Sequence, residues 1–109
     1  MTTHRNLVLS EQADADIDAI LLWTAEHFGA RQAETYLQRI DSTLQALAHE
    51  PLPAASRIRD QDLGRSYRTL HLGRRSRHMI CYRVEEHRVF ILRILHDSMD
   101  LAQHLPDET

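Results

Sequence analysis

From Tyr67 to Met99 the chain runs in three apolar stretches separated by two polar breaks, Gly73-Arg74-Arg75-Ser76 and Glu86-His87. Val, Ile, Leu, Tyr and Phe fill the stretches, and such residues suit a pleated surface, so the pattern predicts three antiparallel strands. The last stretch, Val89-Phe90-Ile91-Leu92, has no polar interruption, as expected of a strand covered on both faces. Upstream the apolar period changes from that of a strand to that of a helix. Ala13, Ile17, Ile20, Leu21, Thr24 and Phe28 form one stripe, Ser10 stands at the N-cap position, and Glu11, Asp14 and Asp16 fall in the early turns. Gly29 stops this helix. A second helix is predicted from near Ala30 to about Glu50, with a stripe of Ala33, Leu37, Ile40, Leu44 and Leu47, Tyr36 beside it, and Pro51 after its end. So short a joint folds the two helices into an antiparallel hairpin. Residues 4–9 read as a short first strand, and residues 51–66, with two Pro and Gly64, as a surface loop. One helical turn is expected around Asp100 to His104, then a frayed end from Pro106 to Thr109.

Turns centred on Arg74-Arg75 and Glu86-His87 imply the pairs Leu70–Met79, Arg68–Cys81, Cys81–Leu92 and Met79–Ile94. One sheet face then collects Leu70, Leu72, Met79, Cys81, Phe90, Leu92 and Ile94, and is the better seat for the hairpin. The other holds Tyr67, Thr69, His71, His78, Ile80, Tyr82, Val84, Val89, Ile91 and Arg93, a mixed surface suited to a groove. A slip of one residue exchanges the two faces. Leu22 and Trp23 lie off the stripe of the first helix, and either cover the sheet or form an exposed apolar patch for a partner.

At 109 residues the chain is expected to be a single domain. Its fold class is α+β: a short N-terminal strand, then an antiparallel two-helix hairpin packed on a C-terminal three-stranded antiparallel sheet. The N-terminus is polar and the longest apolar run, Ala19 to Trp23, is too short to cross a bilayer, so neither leader nor membrane partner is expected. One cysteine, Cys81, cannot form an internal disulfide, which fits a reducing, cytoplasmic setting. It reads as a small buried hydrophobe.

Charge is segregated. Residues 1–56 hold three Arg against eight acids (−5), residues 57–93 ten Arg against four (+6), and residues 94–109 four acids and no Arg (−4), which together give −3. Every cation is Arg, whose planar fork suits carboxylates and phosphates. Genomic composition and solvated strand edges would give the same bias. A basic sheet between acidic segments otherwise points to an anionic partner, a nucleic acid or an acidic protein segment.

Eight histidines raise the question of a metal, but none lies in an HExxH or a zinc-spaced Cys/His array. His71 and His78, facing each other across the first hairpin, would be two ligands without a third, so no metal and no cofactor is expected. There is no P-loop, GxGxxG or GxSxG motif. A ribonuclease needs a general base, a general acid and cations for the phosphorane, because the 2′-OH of RNA supplies the nucleophile. Arg83, Arg93 and His96 could supply part of that set, with Arg93-x-x-His96 ending the last strand.

Two patterns join these features. Ala13-x-x-Asp16-Ile17-x-x-Ile20 followed by Phe28-Gly29-x-x-x-Ala33-x-x-Tyr36 resembles the opening of the RelE/ParE toxin superfamily. Tyr82-Arg83-Val84, then Val89-x-Ile91-x-Arg93-Ile94-Leu95-His96-x-Ser98-Met99-Asp100, resembles ParE toxins more narrowly. The resemblance spans about residues 5–105. It implies the toxin of a type II toxin–antitoxin system, with a ParD-like antitoxin partner whose C-terminal segment wraps it. It further implies inhibition of DNA gyrase by binding, without catalysis, and no sequence-specific DNA binding by this chain. Antitoxin contacts are then expected at Leu22, Trp23, Tyr67, Arg68, Tyr82, Arg83 and Arg93. Target contacts are expected at Arg74, Arg75, His96, Ser98 and Met99. RelE-type ribonucleases resemble one another in a Lys/Arg cluster and a late Tyr or His. This chain departs from them, with no Lys and nothing aromatic after Phe90, although Arg93 and His96 persist. Its tail of −4 would also repel a phosphate backbone. The alternatives are a RelE-like ribosome-dependent ribonuclease using Arg83, Arg93 and His96, or a degenerate toxin that only binds antitoxin.

Overall fold

A computed structural model of the chain describes residues 5–59 and 67–99. The chain order is β1 (Asn6–Leu9), α1 (Glu11–Phe28), α2 (Ala30–His49), β2 (Arg57–Ile58), β3 (Arg68–His71), β4 (His78–Val84) and β5 (Arg88–His96). The expected turn near Asp100 and the frayed end lie outside the described residues.

Helix boundaries follow the local chemistry. The Ser10 hydroxyl accepts the Ala13 N–H at 2.9 Å and donates to the Leu92 carbonyl at 2.7 Å, so one side chain caps α1 and ties it to β5. At the other end Gly29 has φ 94° and ψ 163°, a backbone state that a side chain would strain, and there the chain reverses into α2.

The sheet is wider than the three strands expected. It has five, in the order β1-β5-β4-β3-β2, with β1 parallel to β5 and the other pairs antiparallel. β2 comes from the stretch read as a loop: Arg57 and Ile58 pair with Thr69 and Arg68. Two residues are too few to carry an alternating pattern.

Register differs from expectation by one residue between β3 and β4, where Leu70 pairs with Ile80 and His71 with Met79. Between β4 and β5 the expected register holds next to the turn, with Val84 opposite Val89 and Tyr82 opposite Ile91, and then breaks. Cys81 pairs with Arg93, so Leu92 is an extra residue, a β-bulge, and beyond it Ile80 meets Ile94 and His78 meets His96. The slip exchanges most of the two faces. The hairpin packs on Ile80, Tyr82, Val89, Ile91, Ile94 and Leu72 through Ala13, Ile40, Leu44 and Leu47, with Ile17, Ile20 and Leu21 partly buried beside them. Met79, Cys81 and Leu95 form a separate buried cluster. His71 and His78 therefore do not face each other.

α1 covers the edge of β5 where β1 ends. The Asp16 carboxylate accepts the Ile94 N–H at 2.9 Å and holds the Arg93 guanidinium through Nε at 2.8 Å and Nη2 at 2.9 Å. The far end of the hairpin overhangs the sheet. Phe28 and Leu37, expected on the buried stripes, are 64% and 44% exposed, because on α2 full burial starts only at Ile40, with Tyr36 partly buried before it.

Candidate functional site

The overhang creates a groove of about 810 Å³ between the hairpin tip and the ends of β4 and β5. α1 gives it an apolar wall of Ile20, Trp23 and Phe28; α2 contributes Tyr36; the β3–β4 turn contributes Arg75, Ser76 and Arg77; and His78, His96, Ser98 and Met99 close it. Trp23 is half exposed and held in place. His27 stacks on the indole at 4.2 Å, its Nδ1–H donating to the Trp23 carbonyl at 2.8 Å, and Phe28 meets it edge-on at 5.7 Å.

The polar end of the groove is built around two imidazoles. His78 and His96 pair across β4 and β5 with rings 5.7 Å apart. The Tyr36 hydroxyl lies 2.7 Å from the Ser76 hydroxyl and 3.0 Å from His78 Nδ1. His96 Nδ1 accepts the Ser98 N–H at 3.2 Å and lies 2.7 Å from its hydroxyl. Burial holds the His78 pKa below the usual histidine range, and the neighbouring His96 lowers it further, against the opposing pull of Asp97.

A shallower depression of about 480 Å³, lined by His71, Arg74, Arg75, Arg77 and Asp97, continues from this end. Asp97 is its centre, 3.2 Å from His71 Nε2, 3.1 Å from Arg77 Nε and 3.7 Å from His96 Nδ1. The hydrogen bond from His71, with Arg77 beside it, holds the Asp97 carboxyl below its ordinary pKa.

The residues expected to be functional divide sharply. Trp23, Arg75, His96, Ser98 and Met99 meet in the one groove. Leu22 is 63% exposed on the tip, and Arg74 lies in the adjoining depression. Tyr67 and Tyr82 are corrections: they are 1% and 0% exposed and have no surface to offer a partner. The Tyr82 hydroxyl lies inside, donating to the Pro51 carbonyl at 2.8 Å and 2.5 Å from the Ser56 hydroxyl. Arg68 Nε donates to the same Ser56 hydroxyl at 2.9 Å. Arg83 pairs with Glu85 at 3.1 Å and lies 5.9 Å over the Phe90 ring, while Arg93 is held by Asp16.

Arg83, Arg93 and His96 are not brought together as a ribonuclease would need. Arg83 lies five residues along β4 from His78, the cross-strand partner of His96, which is about 17 Å at the rise of a strand. Cys81 is inert as a nucleophile, since burial pushes its thiol up to about 12. Among the described residues, no group of three or more His, Cys, Asp or Glu could hold a metal ion. Tyr36 and Asp97 had no functional role in the sequence reading, and His78 was expected on a groove face but opposite His71; the bulge in β5 sets His96 against it instead, and the overhang opens the groove beside them.

Comparison with known proteins places these features in a family. The chain matches the family model described as ParE toxin of type II toxin–antitoxin system, parDE, over residues 7–101. It is 34% identical over 97 residues to Toxin ParE1 of Caulobacter vibrioides, covering 89% of this chain and 94% of that protein. It is 26% identical over 101 residues to Toxin ParE of Escherichia coli, covering 92% of each. A solved structure described as the chromosomal ParDE TA system from P. aeruginosa superposes with a TM-score of 0.70 at 26% identity, covering 85% of this chain and 96% of that one.

Proposed function

Because the chain belongs to the ParE toxin family of type II toxin–antitoxin systems, we propose that it arrests growth by binding DNA gyrase, without catalysing a reaction, and that a ParD-like antitoxin neutralises it. The solved relative described as a ParDE system supports a partner of that kind. The observation that carries the non-catalytic reading is the internal use of the strand arginines. Arg93 is held by Asp16 and Arg83 by Glu85, which takes both arginines of the Arg83, Arg93 and His96 set away from His96. No described helix is long and apolar enough to cross a membrane, and we place the protein in the cytoplasm with its target.

Antitoxin contacts centre on Leu22 and Trp23 and target contacts on Arg74, Arg75, His96, Ser98 and Met99, so an antitoxin that extends from Trp23 along the shared groove masks the target surface. A stable complex of this kind buries about 1,500 Å² or more. Induced expression without antitoxin is expected to stop growth with filamentation and a DNA-damage response, and purified protein to trap gyrase–DNA cleavage complexes. Ribosome-dependent mRNA cleavage that His96→Ala abolishes would establish an enzyme instead. Normal growth with antitoxin binding intact would mark a degenerate toxin.

A further inference from the structure

Taking the chain as a ParE-type toxin with an antitoxin partner, we propose that the groove beside the hairpin tip seats an antitoxin segment carrying a bulky apolar side chain and, close by in its sequence, an Asp or Glu, and that seating it takes up a proton. The groove is chemically two-ended. Trp23 and Phe28 are 51% and 64% exposed at one end, and the stack on His27, one turn along the same helix, orients the indole. An aromatic surface exposed in this way fits a bulky apolar side chain, the kind of anchor that dominates interface energies. At the other end stand Arg75 and the His78–His96 pair.

The charged and titratable groups facing that pair are few. α2 presents the Tyr36 hydroxyl to His78, with Arg39 near Gly73; the β3–β4 turn presents Arg75 and Arg77; and the end of β5 presents Asp97. α1 adds no charged side chain to the described lining. Asp97 already engages His71 and Arg77, so the balance left at this end is positive and the entering group is an anion. A carboxylate carries one negative charge against Asp97, whereas a phosphate carries up to two.

In the empty groove His78 is neutral at pH 7, because burial and His96 both disfavour its charge. An incoming carboxylate opposes both effects and raises the His78 pKa above its value in the empty groove. Between the free and bound values the complex therefore holds more protons than its parts. Affinity rises as pH falls through that window and levels off below the free pKa.

The test is calorimetric titration of the full-length chain with the full-length ParD-like antitoxin that neutralises it, at pH 6, 7 and 8, in two buffers of different ionisation enthalpy. Affinity about three- to tenfold higher at pH 6 than at pH 8, with uptake of up to about one proton, is expected. Trp23→Ala and Phe28→Ala should each weaken binding about tenfold or more at every pH. Arg75→Gln should weaken it less and leave the proton uptake in place. Ile58→Ser, on the edge strand far from the groove, should leave the affinity unchanged. His78→Asn should abolish the pH dependence. Should that variant unfold, replacing the Asp and Glu residues of the antitoxin segment by Asn and Gln removes the same proton uptake without touching the toxin. Tight binding that is indifferent to Trp23→Ala and exchanges no protons would overturn this site while leaving the toxin reading intact. No binding to the wild-type chain would overturn the toxin reading itself. An RNA oligonucleotide that displaces the antitoxin from the groove would overturn the peptide assignment.

Discussion

Asp16 satisfies three donors with one carboxylate: the two guanidinium nitrogens of Arg93 and the Ile94 N–H. The pair is largely shielded, with side chains 18% and 15% exposed, and the Asp16 hydrogen bond raises the Arg93 pKa further. Asp16→Asn leaves a half-buried guanidinium against a neutral amide, and a loss of about 2–3 kcal/mol is expected in urea denaturation. Trp23→Ala, at a half-exposed position, should change stability by less than about 1 kcal/mol in the same experiment. Cys81 should resist thiol reagents until the protein unfolds. Its folded pKa lies above the ordinary thiol value, so its contribution to stability is whole below pH 9 and fades as pH rises toward about 12. Cys81 was legible as a buried small hydrophobe from its place in an apolar strand. Tyr67 and Tyr82 were not legible as buried, because a tyrosine in a strand suits either face until the register is known.

The bulge at Leu92 determines most of what β5 presents. Without the extra residue, strict alternation would place His96 and Ile94 opposite to Ile91, on the far side from the hairpin; with it, both join the hairpin side, where His96 meets His78. Ser10 braces this irregularity by donating to the Leu92 carbonyl while capping α1. Ser10→Ala removes both bonds, and a loss of about 1–2 kcal/mol is expected in chemical denaturation, larger than for a cap alone in an exposed helix. The Ser10 cap and the Gly29 stop were readable from local sequence, as were both turns. The bulge had no local signature, since Leu92 is as apolar as its neighbours.

At the scale of the whole molecule, β1 closes the sheet from the opposite end of the chain: Asn6 pairs with Arg88 and Leu9 with Ile91. Those contacts span most of the sequence and leave β5 without an open edge along that stretch. A chain lacking residues 1–9 should therefore lose its cooperative thermal transition and self-associate, as size-exclusion chromatography would report. Acid should act on two carboxylates with lowered pKa values, Glu85, held chiefly by its hydrogen bond from Arg88, and Asp97, held chiefly by His71. Their contributions are present above the ordinary carboxylate range and are lost as pH falls through the lowered values.

Periodicity and turn chemistry, which act within a few residues, determined the two helices, their hairpin joint and four of the five strands. Residue types and spacing from Ala13 to Asp100 also carried the likeness to ParE toxins. Tertiary structure alone decided which sheet face took the hairpin, which arginines were used internally, and that Trp23, Tyr36, His78 and His96 share one groove. The reason is that a one-residue slip, a bulge and an overhang are settled by packing between distant segments, and no local window of sequence contains both partners.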